Sequence, residues 1–477
     1  MIDTESLRKK VIDLAIRGKL TEQLPSDGDA ETLYAQIQEE KDRLLKEGKI
    51  KRDKPLPDIT DEEIPFEIPE NWKWIRLGDY SQKVTDQVAS GSFAALRENV
   101  PSLKEPDYAI MVKTADFANG FTSNLTYTDK HGYEFLSNSN LFGGELILSN
   151  IGSIGKCFIV PDLGCKMTLA PNSVMIRLVD EELRDYLYYF ILSRQGFLEL
   201  DSISTGIAVK KFNKTDLKTI IIPVPPVAEQ QRIVSKLKEL MKQIDIIDNL
   251  QSKYSNDLAV LKSKIIDAGI QGKLTEQLPE DGDAEDLYAQ ILNQKSQLIK
   301  EGKIKKEKPL PDIAADEIPF EIPKNWKWVR FGNLMWNRDS ERIPVSVADR
   351  KKLAKTYDYY GASGVIDKVE EYLFDEKLLL IGEDGANLLS RSTPIAFLAD
   401  GKYWVNNHAH VLGYYKYDYL DFVMYYINSI SLVPYVTGAA QPKLNQENMN
   451  KIPVPLPPYL EQKRIVEKIQ DVLEQLT

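Results

Sequence analysis

Cysteine and histidine are nearly missing from this chain: two Cys and three His in 477 residues. Cys157 and Cys165 are too few for a disulfide framework or a thiolate zinc site, and they read as two buried thiols rather than a bridged pair. Long apolar runs are also absent. No eighteen consecutive apolar residues occur, and the charged start MIDTESLRKK has no apolar stretch behind it. Neither a membrane span nor a secretory leader is expected, which leaves the cytoplasm as the expected location. No G-x-x-x-x-G-K-S/T phosphate loop appears, so motor ATPase chemistry is not expected in this chain.

What is present in quantity is repetition. GKLTEQLP at 18–25 returns letter for letter at 272–279. Aligned without a gap at an offset of 254, Leu7 to Gly78 and Leu261 to Gly332 are identical at 50 of 72 positions. A second repeat pairs TGIAVKKFNKTDLKTIIIPVPPVAEQQRIV from Thr205 with TGAAQPKLNQENMNKIPVPLPPYLEQKRIV from Thr437, at an offset of 232. The two offsets differ by 22, so the first of the two intervening variable stretches is longer by that amount. An internal duplication keeps its frame and changes its content.

From Ile233 the apolar positions Leu237, Leu240, Ile244, Ile247, Tyr254, Leu258, Leu261, Ile265 and Ala268 follow spacings of four and three, with Gln251 the one miss. This heptad seam predicts a long coiled-coil helix, opening after Pro225-Pro226 and closing at Gly272. Ile465, Ile469, Val472 and Leu476 repeat its first half, and Leu7, Val11 and Leu14 its second. The repeat is therefore circularly permuted. Two long antiparallel helices related by a pseudo-twofold axis are expected, one continuous and one assembled from both chain ends, with the variable modules at opposite tips. A homodimeric zipper is the other reading of the seam.

The segmentation expected is a helical and linker region over 1–71, a module over 72–225, a central helical region over 226–325, a second module over 326–457, and a closing helix over 458–477. Leu33 to Glu47 reads as a charged helix stopped at Gly48, and KPLPDI as extended linker. ELILSNIGSIGKCFIV and KLLLIGEDGANLL read as strands with glycine turns, and DYLYYFILSRQGFLEL as one helix, so each module is expected to be α+β. The formal charge of −11 looks unsuited to nucleic acid. Its distribution removes the objection: 72–225 carries a net −1, 326–457 a net 0, and the frame the remaining −10.

Taken in order, the paired PVPPVAEQQRIV and PLPPYLEQKRIV, the paired IPxNWKWxRxG segments, the TG…K-(F/L)-N segments and the IRGKL and IQGKL helix ends resemble the specificity subunit of type I restriction-modification enzymes over essentially the whole chain. The resemblance implies that each module is a target-recognition domain reading half of a bipartite duplex DNA target, with the frame as spacer. It implies two adenine-methylating modification subunits carrying S-adenosylmethionine, and restriction subunits using ATP and Mg²⁺. It implies no catalytic residue and no cofactor in this chain. The alternative is a coiled-coil protein scaffold that binds no DNA.

Residues identical in both modules cannot carry a difference in readout. Thr205, Gly206, Lys211 and Asn213, identical to Thr437, Gly438, Lys443 and Asn445, are therefore candidates for phosphate contact or shared fold, and Lys210 and Gln441, which are not identical between the copies, are placed with them as neighbours in the same segment. Candidate base readers are Lys83, Gln87, Ser90, Ser92 and Arg97 in the first module, and Arg338, Arg342, Arg350, Lys351 and Lys352 in the second. A second set is Ser149, Asn150, Ser153 and Lys156 against Glu383, Asp384, Asn387 and Arg391, where glycine turns follow a strand. Tyr359 and Tyr360 read as core packing rather than base stacking.

Leu456-Pro-Pro-Tyr459 imitates an adenine methyltransferase tetrapeptide, but Leu456, like its counterpart Val224, cannot accept a hydrogen bond from an adenine amino group. Both copies read as helix starts. His408 and His410 alternate as if on one strand face, yet with no third ligand evident they read as structural, and no metal site is expected.

Overall fold

A computed structural model of the chain describes residues 1–152, 154–206, 209–438 and 441–476. The chain divides into two compact units, Met1–Ser252 and Lys253–Thr477, each holding one module and its share of the frame. Both units are α+β.

In the first unit, the strand Lys73–Arg76 pairs antiparallel with Ile221–Val224 and closes the module at its base. Pro223 is tolerated because this ribbon has only two strands. Above it, Ser81–Asp86, Ser173–Leu178, Leu146–Ser149 and Cys157–Ile159 form an antiparallel sheet in that order. A second sheet orders Tyr127–Thr128, Ala109–Val112, Met167–Leu169 and Asn140–Leu141, with the middle pair parallel. The middle strands Leu146–Ser149 and Ala109–Val112 are buried throughout.

The second unit has the same topology. Lys327–Arg330 pairs with Pro453–Leu456. The first sheet orders Met335–Asn337, Ala409–Tyr414, Leu378–Gly382 and Ala396–Ala399. The second orders Gly364–Val369, Tyr357–Gly361, Lys402–Val405 and Phe374–Asp375, again with its middle pair parallel.

The central helix runs Val227–Ile270 without a break, as the seam predicts. Its burial is uneven: Ile233, Leu237 and Ile244 are buried, whereas Tyr254 is 64% and Leu261 44% exposed. Leu240, Ile247, Leu258 and Ile265 are intermediate. The helix Thr4–Ile16 buries Val11, Ile12, Ala15 and Ile16, while Leu7 and Leu14 stay half-covered. Its apolar face joins the module core around Tyr186, Leu187 and Leu200. That core also takes in Leu237 and Ile244 of the central helix, with Leu7, Leu240 and Met241 packed against it, and Arg8 pairs with Asp245 at 2.7 Å and Asp248 at 2.6 Å. The seam positions of this helix are thus unevenly covered, and Ile12, Ala15 and Ile16 beside them are buried against the module. In the second unit, Tyr459–Gln475 buries Ile465 and Ile469 against Trp326 and Phe422, with Val472 and Leu476 at the margin.

Two further expectations change. DYLYYFILSRQGFLEL forms two helices, Arg184–Leu192 and Arg194–Ser202, because Ser193 Oγ caps the second by accepting from Gly196 N at 2.9 Å. Cys157 is buried, but Cys165 is exposed; both thiols are free. The charged helix runs Ala30–Lys46, and residues 51–60 form neither helix nor strand. Among the described residues no helix is long and apolar enough to cross a membrane.

Candidate nucleic-acid interface

The repeated phrases meet at one buried carboxylate in each unit. Glu229 and Glu461 are fully buried. Glu229 accepts from Trp72 Nε1 at 2.8 Å and Gln23 Nε2 at 2.9 Å; Glu461 accepts from Trp326 Nε1 at 2.9 Å and Gln277 Nε2 at 2.8 Å. One turn on, Arg232 grips Asp27 and Arg464 grips Asp281, each at 2.5 Å. Gly18 and Gly272 end their helices at φ of 66° and 68°, where a β-carbon would lie 2.5 Å from Pro69 and Pro323 respectively. GKLTEQLP, NWKW and AEQQRIV are thus one structural joint written in three places. Arg76 and Arg330 lock the base of each module, donating to Glu63 at 2.8 Å and Glu317 at 2.7 Å and to nearby carbonyls. The Arg330 guanidinium holds Glu317 at a pKa of about 2.

On this joint each module raises the same loop pair. In the first, the Thr-Gly hairpin closes through Thr205 N to Lys211 O at 2.8 Å and Lys211 N to Thr205 O at 2.9 Å. It then pins the polar turn after Leu146–Ser149: Gly152 N donates to Lys210 O at 2.9 Å and Phe212 N to Asn150 O at 3.1 Å. In the second, Thr437 and Lys443 exchange bonds of 2.9 and 2.8 Å, Gly385 N donates to Pro442 O at 3.0 Å, and Leu444 N to Glu383 O at 2.8 Å. The second candidate set and the repeated Thr-Gly set, some sixty residues apart in sequence, therefore form one site in each module. Gly206 and Gly438 have φ of 101° and 88°, and a β-carbon there would lie 2.4 and 2.5 Å from a backbone carbonyl. Asn213 and Asn445 cap the short helices Lys214–Leu217 and Gln446–Asn450, a role in the fold itself.

The candidate readers separate by what already engages them. Gln87 is buried and donates to Leu169 O; Ser149 is buried and donates to Ile151 O at 3.1 Å. Ser90 has a buried hydroxyl, and Ser92 caps the helix Phe93–Asn99. Asn150 donates to Phe212 O at 3.2 Å. Lys83 is half-covered, and burial pushes its pKa down. In the second module Arg338 pairs with Glu341 and Glu376 and lies over Trp336 and Phe374. Arg350 pairs with Asp367 at 2.9 Å and covers the Tyr359 ring. Tyr359 is itself core, and Tyr360 is partly buried. Arg391 ties off the carbonyl end of the helix Leu420–Ser429. Asn387 closes its own turn onto Ser392 and Thr393. Lys352 pairs weakly with Asp349 at 3.7 Å. Arg97, Lys156, Lys211 and Lys351 are exposed, as are Lys210, which pairs with Asp201, and Gln441. Lys443 is exposed and lies 3.1 Å from Glu383. Ser153 lies outside the described residues.

The histidine pair is split. His408 lies just before its strand, exposed and held by Asp384 at 2.9 Å, while His410 is 1% exposed on the strand. Asp339, Glu383 and His410 offer ligand atoms within 4.8 Å of one another. Arg342 donates to Glu383 at 2.7 Å and lies 3.5 Å from Asp339, and His410 Nε2 meets Leu444 O at 2.7 Å. The cluster is an ion-pair network with an arginine inside it, chemistry that opposes a metal.

Sequence comparison at constant offset missed Asp86 and Asp339. A bulge between Ser81 and Lys83 shifts the register by one, so the two carboxylates do not align in sequence although each stands where the first strand of its sheet ends, Asp86 as the last residue and Asp339 just past it. Asn172 was missed in the same way. It is exposed with φ of 63°, and its carbonyl accepts from Asn150 N as that of His408 accepts from Glu383 N.

Each unit thus presents a polar loop pair on a module of one fold, built twice with different side chains. The chain belongs to the type I restriction modification DNA specificity domain family, whose profile matches residues 69–253 and 323–477. It is 29% identical over 377 residues to the type I restriction enzyme EcoAI specificity subunit of Escherichia coli, covering 69% of this chain and 62% of that protein. It is 31% identical over 395 residues to the EcoEI specificity subunit of the same species, covering 72% and 63%. The chain therefore spans less than two thirds of the length of these two relatives. A solved chain from work on complex assembly and conformational transition of the type I R-M system shares the fold, with a TM-score of 0.57 at 15% identity over 86% of this chain and 92% of that one.

Proposed function

We propose that this chain is the non-catalytic DNA specificity subunit of a type I restriction-modification complex, acting in the cytoplasm. Each module reads one half of a bipartite duplex target. The frame sets the spacing of the halves and docks two adenine methyltransferase subunits, through which restriction subunits join. S-adenosylmethionine, Mg²⁺ and ATP serve those partners. The observation that carries the reading is the loop pair built twice: shared residues such as Thr205-Gly206 and Thr437-Gly438 fix its backbone, while exposed side chains such as Lys210 and Gln441, whose counterparts are Pro442 and Val209, differ, as two different half-sites require.

Within each site the exposed groups are the proposed DNA contacts. Arg97, Lys156, Lys210 and Lys211 serve the first module, and Lys351, Lys352, Gln441 and Lys443 the second. Thr205, Gly206, Thr437 and Gly438 shape the backbone. The engaged side chains named above hold the site in position.

The test is a map of methylated adenines across the genome of cells carrying the chain with its modification subunit, with and without the chain. The expected result is a two-part motif with a fixed unspecified gap, present only with the chain. An unchanged map, with a soluble complex and an active modification subunit, would overturn the reading in favour of a scaffold without DNA binding.

A further inference from the structure

At the end of the first strand of each module's first sheet stands a carboxylate, Asp86 as the last residue of Ser81–Asp86 and Asp339 two residues beyond Met335–Asn337, and each meets a different partner. In the first module Asp86 stands opposite Val174 on the neighbouring strand. Its Oδ1 accepts from Lys214 Nζ at 2.8 Å and from Ala89 N at 3.0 Å, and Lys214 directly follows the Lys-Phe-Asn segment. In the second module Asp339 stands one step past the Arg338 to Val411 contact, opposite His410. Asp339 Oδ2 lies 2.6 Å from His410 Nδ1, and His410 Nε2 lies 2.7 Å from the carbonyl of Leu444, inside the Lys-Leu-Asn segment. In both modules the carboxylate is thereby tied to the segment that pins the polar loop. The residue at the place of Lys214 is here Gln446, so the second tie runs through the ring instead.

That ring faces acceptors on both nitrogens. A neutral imidazole has one N–H and would set a lone pair against one of them, whereas an imidazolium donates to both. The other charges around it are Glu383 at 3.9 Å, Arg342 bound to Glu383 and 3.5 Å from Asp339, and Lys443 at 3.1 Å from Glu383.

We propose that Asp86 and Asp339 are equivalent positioning residues that hold the Lys-x-Asn segment under the polar loop, and that the second hold, made through an imidazolium, loosens in alkali while the first, made through a lysine, does not. Burial alone would push the His410 pKa down; the hydrogen bond and charge of Asp339, with the Leu444 carbonyl and Glu383, outweigh it and leave the pKa raised. A raised histidine contributes fully below its unfolded value near ~6.5, and its contribution is lost as pH rises through the folded value. A lysine ammonium ordinarily keeps its proton well above that window.

The hold belongs to the fold and is tested without DNA. Residue-resolved amide hydrogen exchange on the intact chain, corrected for intrinsic rates, is followed from about pH 6 to about pH 9. Protection of Thr437, Lys443 and Leu444 is expected to fall by about tenfold or more, while Thr205, Lys211 and Phe212 keep theirs. Parallel behaviour of the two hairpins would overturn the proposal. The double variant His410→Val with Gln446→Lys transplants the first module's hold and should make the second hairpin independent of pH. Should it not fold, Asp339→Asn should lower protection at about pH 6 and flatten the pH profile, and an unchanged profile would refute the proposal. The consequence for DNA rests on the function proposed above: affinity for the second half-site should fall over the same window while the first holds. A hairpin that opens with no change in DNA affinity would leave the hold standing and count against the second module's loop as a DNA contact.

Discussion

The residues that repeat most faithfully are those whose burial leaves no substitute. Glu461 accepts hydrogen bonds from an indole and an amide inside a fully buried joint, so Glu461→Leu strands both donors. A loss of roughly 2–4 kcal/mol is expected in urea unfolding of the full chain. Asp349→Ala, on an exposed short helix, should change stability by less than about 0.5 kcal/mol. Gly438 has the narrowest steric allowance in its module. Gly438→Ala places a β-carbon against the Gln441 carbonyl, so the second half of the target should go unrecognised while the first half is still read. Methylation of hybrid targets carrying one intact half each would show the asymmetry, and equal loss at both halves would contradict independent sites. The joint itself was legible only as repetition: identical phrases at fixed offsets said that something was kept, and only the fold showed that Gln23, Trp72 and Glu229 share one hydrogen-bonded site.

At the scale of elements, the seam of the central helix was readable because a period of 3.5 depends on sequence alone. Which parts of the seam are covered depends on what packs there. Leu237 is fully buried and Tyr254 is 64% exposed, although both satisfy the same spacing. Leu237→Ala should cost about 2–5 kcal/mol and Tyr254→Ser less than about 1 kcal/mol, measured as shifts of the unfolding midpoint. The module strands were legible as β-rich runs between glycine turns. Their partners were not, because pairing of segments as far apart as Lys73 and Val224 leaves no mark on local composition. The bulge at Ser81 to Lys83 added a second obstacle, moving Asp86 out of alignment with Asp339 although both stand where the first strand of their sheet ends. Ser193 broke a helix that the apolar pattern had run through, since a cap is decided by a single hydroxyl and the backbone N–H it meets.

For the whole molecule, duplication makes the proposed function divisible. Replacing residues 326–457 with the corresponding module of a family member of different specificity should change one half of the methylated motif, leaving the other half and the gap length intact. Genome-wide methylation mapping reads both together, and a change in both halves would show that the modules do not act separately. The frame repeats at 50 of 72 positions, so the docking surfaces should be nearly equivalent and the purified complex should contain two modification subunits per chain. A measured mass with one would contradict that equivalence.

By itself the sequence determined the duplication, its circular permutation, the long helix and the α+β character of both modules, because periodicity, turn chemistry and identity at fixed offsets are properties of order along a chain. The tertiary structure decided which candidate side chains are already engaged. Arg338, Arg350 and Arg391 were candidate base readers in sequence, yet each meets carboxylates or carbonyls brought in by other segments. It also decided that His410, one of two histidines that looked alike, lies buried between a carboxylate and a carbonyl while His408 faces solvent. Charge and burial arise from neighbours in space, and those neighbours exist only once the chain has folded.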